Sequence, residues 1–231
     1  SFPIILSNLS RVLMSLVDVA MVGRLGPEAL AAAGMGGMLV WGALSIMLGV
    51  RTSVQTVSSR RLGQNKTKEC IKALNNGFIM ASIYSVPVSL LCCFFGFIII
   101  PLFVIDEITT PLAISYFSIS SLGLFFNSIS FVFQGFFTGI EKTKVLLSVT
   151  ISSNIINVYF NIGLIYGKNF ISKISADHLG EFFDISVFWF WAKFDGFGVT
   201  GAAIGTLIAS AWMMFHYYIY LNRQEIIKNN K

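Results

Sequence analysis

The residues of this 231-residue chain whose types and spacing could do chemistry lie inside its apolar runs. The first run, FPIILSNLSRVLMSLVDVAMVG from Phe2 to Gly23, is long enough to cross a bilayer as a helix, and it carries one acid, Asp18, and one base, Arg11. Charges in hydrocarbon are costly and usually line an interior or a watered cavity. Asp18 therefore reads either as a group loaded and unloaded with a cation, or as a helix-end group that reaches the interface or partners Arg11. Seven residues put Arg11 on the same helical face, about 10.5 Å down the axis. A stretched ion pair between them would hold Asp18 ionised and argue against a simple proton carrier. In SNIINVYFNIGLIYG, Asn157 and Asn161 are four apart and share a face. Their carbonyl oxygens suit a hard cation such as Na⁺, and amides of this kind equally tie membrane helices to one another. Thr206 offers a hydroxyl at membrane depth in the last run. Arg51, with Gln55 one turn later, reads either as a cavity-lining pair or as a structural buried cation.

Enzyme chemistry is not expected. No Ser-His-Asp set, paired acids or Cys/His ligand cluster falls in the apolar runs, Asp177-His178 has no evident partner, and His216 among aromatics reads as a packed ring. Cys70, Cys92 and Cys93 have no metal-ligand spacing and read as small packing residues. Gly196, Gly198 and Gly201 spell G-x-G-x-x-G, but no strand precedes them, so a dinucleotide site is not expected. Gly201 and Gly205 read instead as a small-residue face for close helix packing. No cofactor is expected, and no metal beyond Na⁺ at Asp18.

The elements that must position these groups are membrane helices. The chain is 55% hydrophobic and 12% charged, with a mean hydropathy of +0.75; a soluble domain has about a quarter of its residues charged. The fold class is all-α integral membrane, a six-transmembrane-helix bundle with spans at about 2–23, 33–60, 73–104, 112–138, 145–166 and 198–221, and Pro87 marks a kink in the third. With alternating sides, one set of loops plus the C-terminal tail holds Arg60, Arg61, Lys66, Lys68, Lys72, Lys142, Lys144, Arg223, Lys228 and Lys231, ten of the sixteen basic residues. By the positive-inside rule both ends face the cytoplasm, in the plasma or inner membrane of the cell. The net charge of +5 is thus a topology signal with contact to lipid headgroups, and nucleic acid is excluded as a partner. Residues 168–195 form a long external connection ending in Phe188, Trp189, Phe190 and Trp191, read as an interfacial anchor or as a lid or docking surface. The chain opens on a membrane-length segment without an initiator Met or a cleavable leader, and a piece of a longer protein is expected.

Four segments, VDVAMVGRLGPEALAAAG, RRLGQNKTKE, FQGFFTGIEKTK and NIINVYFNIGLIYG, in this order and with six spans, resemble the N-terminal half of a multidrug and toxic compound extrusion (MATE) transporter. The resemblance covers nearly all the chain, most weakly at 168–195. It implies one of two six-helix lobes related by a pseudo-two-fold axis along the membrane normal. It also implies exchange of Na⁺ or H⁺ for cationic or amphipathic drugs by alternating access. The family's coupling acid on the first helix falls on Asp18, its polar pair on the fifth on Asn157 and Asn161, and its sixth-helix hydroxyl on Thr206. Some members have an aspartate where this chain has Asn161, which leaves Asp18 as the only carboxylate of the cluster. Arg11 matches no typical arginine position of the family and counts against proton coupling. The partners implied are membrane lipids, a small cationic or amphipathic substrate and the C-terminal lobe, and the 231 residues alone are expected not to transport. Two alternatives stand beside this: a lipid-linked oligosaccharide flippase of the same superfamily, which Arg11 and Arg51 would suit, and a non-transporting membrane scaffold.

Overall fold

A computed structural model describes residues 2–179, 188, 189, 191, 192 and 194–223. The helices are α1 (Phe2–Gly23), α2 (Pro27–Gly63), α3 (Thr67–Ile99), α4 (Thr109–Gly139), α5 (Thr143–Leu179) and α6 (Gly198–Asn222). Six helices among the described residues are long and apolar enough to cross a membrane, and no strand occurs among those residues. The protein is an all-α integral membrane bundle.

Several boundaries differ from the sequence expectation, each for a local reason. α2 begins at Pro27 rather than near Ala33, because proline is preorganised for the first helical turn and Gly26, at φ 120°, supplies the turn before it. α3 runs unbroken through Pro87 and closes in a 3₁₀ turn, Ile100–Leu102. α5 continues beyond the expected end of its span. Gly167, at φ 71° and ψ 170°, breaks the helix without ending it, and a Cβ there would collide with the Phe194 carbonyl oxygen. The stretch expected as a connecting loop, 168–195, therefore begins as helix as far as Leu179. Asp177, His178, Phe190 and Lys193 fall among the side chains outside the described set.

Membrane helices gain nothing from burying apolar surface against one another, so close backbone approach and polar contacts must hold the bundle. α4 is the central helix and packs most extensively on α2, then on α3 and α6. Its glycines make this possible: a Cβ on Gly135 would strike the Arg51 carbonyl oxygen, and one on Gly139 would stand 2.7 Å from that of Gln55. Across α4 and α6, Phe133 stacks on the fully buried Tyr217 with centroids 5.6 Å apart. The outer faces of α2 and α3 carry exposed Ile46, Ile79, Ile83 and Phe97, as a lipid-facing surface requires.

α1 stands apart. It packs on α5 and only sparsely on α2 and α6, and Val12, Leu13, Leu16 and Val19 are exposed along it. Its seam with α5 is a parallel polar zipper. Ser7 Oγ meets Thr150 Oγ1 at 2.9 Å, Asn154 Nδ2 donates to Ser10 O at 3.0 Å, Asn161 Nδ2 donates to Asp18 Oδ1 at 2.9 Å, and the Tyr166 hydroxyl donates to Met21 O at 2.6 Å. Ser7 and Asp18 are eleven apart, as are Thr150 and Asn161; eleven residues are close to three turns, so each helix keeps one polar face toward the other. The sparse α1–α2 contact leaves a groove of about 880 Å³ open along the lobe.

Candidate cation site

Asp18 lies on the wall of that groove, about five residues before the end of α1, and is half-buried. Its Oδ1 accepts from Asn161 Nδ2 at 2.9 Å, and the same nitrogen donates to Asn157 Oδ1 at 3.0 Å. Asn157 Nδ2 in turn reaches Thr206 Oγ1 at 3.5 Å. The four residues that the sequence singled out on α1, α5 and α6 are thus one connected hydrogen-bond chain. Asn157 and Asn161 are 5% and 1% exposed, so these amides have little access to water as an alternative partner.

The site is built by packing as much as by polar pairing. α5 and α6 run antiparallel, with Gly201 against the Leu164 carbonyl and Gly205 against the Asn161 side chain; a Cβ on Gly205 would collide with Asn161 Oδ1. That oxygen has no hydrogen-bond partner. Asn161 donates from one nitrogen to two oxygens and keeps its own oxygen in reserve. The nitrogen stands where the Asp18 and Asn157 oxygens converge. Turning the amide over would replace it by Oδ1, giving three converging oxygens with one negative charge. The donor set therefore fits a proton or a Na⁺ ion.

Arg11 does not pair with Asp18. Its Nη2 donates to Gln134 Oε1 on α4 at 3.5 Å, and the ion pair present among the described residues is the exposed Lys72–Glu69. Arg11 lines both the groove and a deeper cavity of about 250 Å³ that opens from it. Arg51 and Gln55, expected as cavity-lining candidates, do not line either space. The close α2–α4 contact at Gly135 and Gly139 lies at these two residues, two turns beyond the cavity-lining Leu44. His216 is held between the rings of Trp212 and Tyr220, at 5.8 and 5.2 Å.

Sequence reasoning missed Ser7, Ser10, Thr150, Asn154, Gln134 and Tyr116. Asn154 had a visible signal, since Asn154, Asn157 and Asn161 follow i, i+3, i+7 along one face. Nor did it foresee how Trp189 and Trp191 are held. Trp189 Nε1 donates to Tyr159 O at 2.7 Å and Trp191 Nε1 to the Tyr159 hydroxyl at 2.8 Å, both over Gly163 of α5. The two indoles clasp α5 rather than offering their N–H groups to a membrane interface.

The family profile MatE matches residues 3–162. Among curated proteins the chain is similar to a probable multidrug resistance protein NorM of Photorhabdus laumondii, 27% identical over 217 residues, which cover 93% of this chain and 43% of that relative. A protein of the same description from Burkholderia mallei is 27% identical over 173 residues, covering 71% of this chain and 35% of the relative. Among solved structures, a multidrug resistance MATE family transporter of the MOP superfamily, in an outward-facing conformation, matches with a TM-score of 0.78 at 20% identity, over 97% of this chain and 44% of that one. A MOP superfamily transporter from Pyrococcus furiosus, described as having a binding pocket of reverse polarity that suggests a different function, matches at 0.78 and 20% identity, over 95% and 43% of the two chains. At those identities the structural likeness speaks to the fold alone. The chain spans less than half the length of these relatives, which are transporters and not enzymes. Because the profile covers well over half of its residues, the chain belongs to the MatE family.

Proposed function

We propose that the chain forms one lobe of a cation-coupled efflux antiporter that expels cationic or amphipathic organic molecules by alternating access. The observation that carries this reading is Asp18, the one acid on the groove, hydrogen-bonded into the Asn161–Asn157–Thr206 chain at membrane depth. Neutralising Asp18 with H⁺ or Na⁺ lowers the cost of closing helices around it, and leaving it ionised favours an open, hydrated groove. A cation that binds the two conformations unequally shifts their balance by that difference in affinity, and a substrate competing for the same charge couples to it. A C-terminal lobe supplies the opposite wall of the path in this reading, and both ends of the chain face the cytoplasm.

The test is efflux of a fluorescent organic cation from membrane vesicles carrying the full-length protein, with Na⁺ or H⁺ gradients imposed in turn. Asp18→Asn is expected to abolish gradient-dependent efflux while expression and thermal midpoint stay near the wild type. Efflux that persists in this variant overturns the reading. A lipid-linked oligosaccharide flippase is kept as a second reading by one observation: Arg11 faces the cavity without a carboxylate partner among the described residues.

A further inference from the structure

A guanidinium at the middle of a membrane helix needs a counter-charge, and Arg11 has none among the described residues. Its recorded hydrogen bond goes to a neutral amide, Gln134, at the long limit of 3.5 Å. A second guanidinium, Arg51, is half-buried on α2, and the Arg11 charge acts on it as a repulsion. Two like charges in a membrane-spanning bundle, with no carboxylate among the described residues in direct contact, are a costly arrangement, and a bound anion relieves it. The space to hold one is present. Arg11 is the charged residue of the inner cavity of about 250 Å³, whose other polar lining, including Gln134, Thr150 and Asn154, is neutral. Trp41 and Tyr116 line both this cavity and the outer groove, an aromatic wall for an apolar ligand body.

We propose that the inner end of the groove is an anion subsite, in which Arg11, backed by the charge of Arg51, receives the carboxylate, sulfonate or phosphate of an amphipathic organic ligand. The charges along α1 then give the groove a polarity. An anionic group sits inward at Arg11, and any cationic group of the same molecule sits about 10.5 Å outward at Asp18. A guanidinium binds two oxygens of one oxyanion through paired N–H donors, which favours these groups over a spherical halide. This subsite is separate from the coupling role of Asp18. It concerns ligand binding at rest, without an ion gradient.

The test is equilibrium dialysis of 2-naphthalenesulfonate, with 2-naphthol as its neutral match, against the full-length protein in nanodiscs, with empty nanodiscs subtracted. On the unaltered protein the sulfonate is expected to bind saturably and at least tenfold more tightly than the naphthol. Arg11→Gln should lower sulfonate affinity tenfold or more, Arg51→Gln by about threefold, and Arg11→Lys, which keeps the charge but loses the paired donors, should fall between Arg11→Gln and the unaltered protein. None of the three should move naphthol affinity beyond twofold. Competition by dihexanoyl phosphatidate identifies a lipid headgroup as the natural source of the anion, and failure to compete while the sulfonate binds identifies a soluble organic anion. Equal affinity of sulfonate and naphthol on the unaltered protein overturns the proposal even if the Arg11 variants fail to fold, as does unchanged sulfonate affinity in a folded Arg11→Gln.

Discussion

At the scale of single residues, Asn161 carries more of the candidate site than its neutral side chain suggests. Its one nitrogen binds Asp18 and Asn157 together, and Gly205 makes room for its oxygen. A hydrogen bond to a charged group contributes about 1.5–3 kcal/mol, so its loss should be felt as roughly a tenfold effect or more. Asn161→Leu is expected to reduce ion-driven efflux by that factor, as is Gly205→Ala, which pushes the amide away from α6 without removing any polar group. Thr206→Val should cost less, because its contact with Asn157 is already long at 3.5 Å. Initial rates of dye efflux under an imposed gradient check all three, and a Gly205→Ala rate equal to wild type would show that amide placement does not matter. The acid and the two amides were legible in the sequence because such groups stand out against apolar runs, and Thr206 because the family's sixth-helix hydroxyl falls on it. Their supports were not. Ser7, Ser10 and Thr150 are residues that any membrane helix can carry, and nothing in the linear order tells that α1 and α5 lie side by side in a register that pairs Ser7 with Thr150.

At the scale of the elements, the question is what holds helices together where burial of apolar surface supplies no drive. The α2–α4 seam answers with glycine. A side chain at Gly135 would enter the Arg51 carbonyl, and backbone cannot move aside as a flexible side chain can. Overpacking of this kind costs about 1–3 kcal/mol, so Gly135→Val is expected to lower the thermal midpoint in detergent measurably. Val at the exposed Gly34, where a Cβ meets nothing within 4 Å, should change it little. The start of α4 offers a pH-dependent counterpart. Asp106, in the turn before the helix, is held below the usual carboxylate range by hydrogen bonds from the Thr109 side chain and backbone, the latter N–H reaching Oδ2 at 2.7 Å. A carboxyl whose folded value is depressed adds stability above its unfolded value of about 3.9 and loses it as pH falls through the lower, folded value. Asp106→Ala should therefore lower the thermal midpoint at neutral pH, and the gap to wild type should close as the pH falls below that of the native carboxyl. A gap that stays constant to pH 3 would mean the cap acts through geometry alone. Element positions were read well from hydropathy, while their ends were not. Hydropathy marks the hydrocarbon core, and helices such as α2 and α5 run past it into water, where capping and glycine decide the boundary.

At the scale of the whole molecule, the distribution of charge and the packing of α1 determine how the lobe is used. The other five helices are joined by glycine seams, aromatic stacking and hydrogen bonds such as Ser153 Oγ to Ala209 O and Asn127 Nδ2 to Ser210 Oγ, whereas α1 packs extensively on α5 alone. α1 is consequently the element best placed to shift against the rest, and it is the one that carries both charges of the groove. Which way such a shift opens depends on orientation, and orientation rests on the basic residues. Arg60, Arg61, Lys66 and Lys68 surround the α2–α3 turn, whereas Asp106 and Glu107 occupy the α3–α4 turn at the opposite end. If the first turn is cytoplasmic, Asp18 lies near the outer end of α1 and Arg11 deeper, so a cation entering from outside reaches Asp18 before it reaches the level of Arg11. A version with its three cysteines replaced, carrying Gln64→Cys or Ile105→Cys, distinguishes the two orientations. Both positions are exposed in turns, Ile105 at 92%. A membrane-impermeant maleimide applied to intact cells should label Cys at 105 and spare Cys at 64, and inside-out vesicles should reverse the pattern. Labelling of position 64 from outside would invert the lobe. The acid would then load from the cytoplasm, and an antiporter driven by inward flow of cations could not be built on Asp18 as proposed.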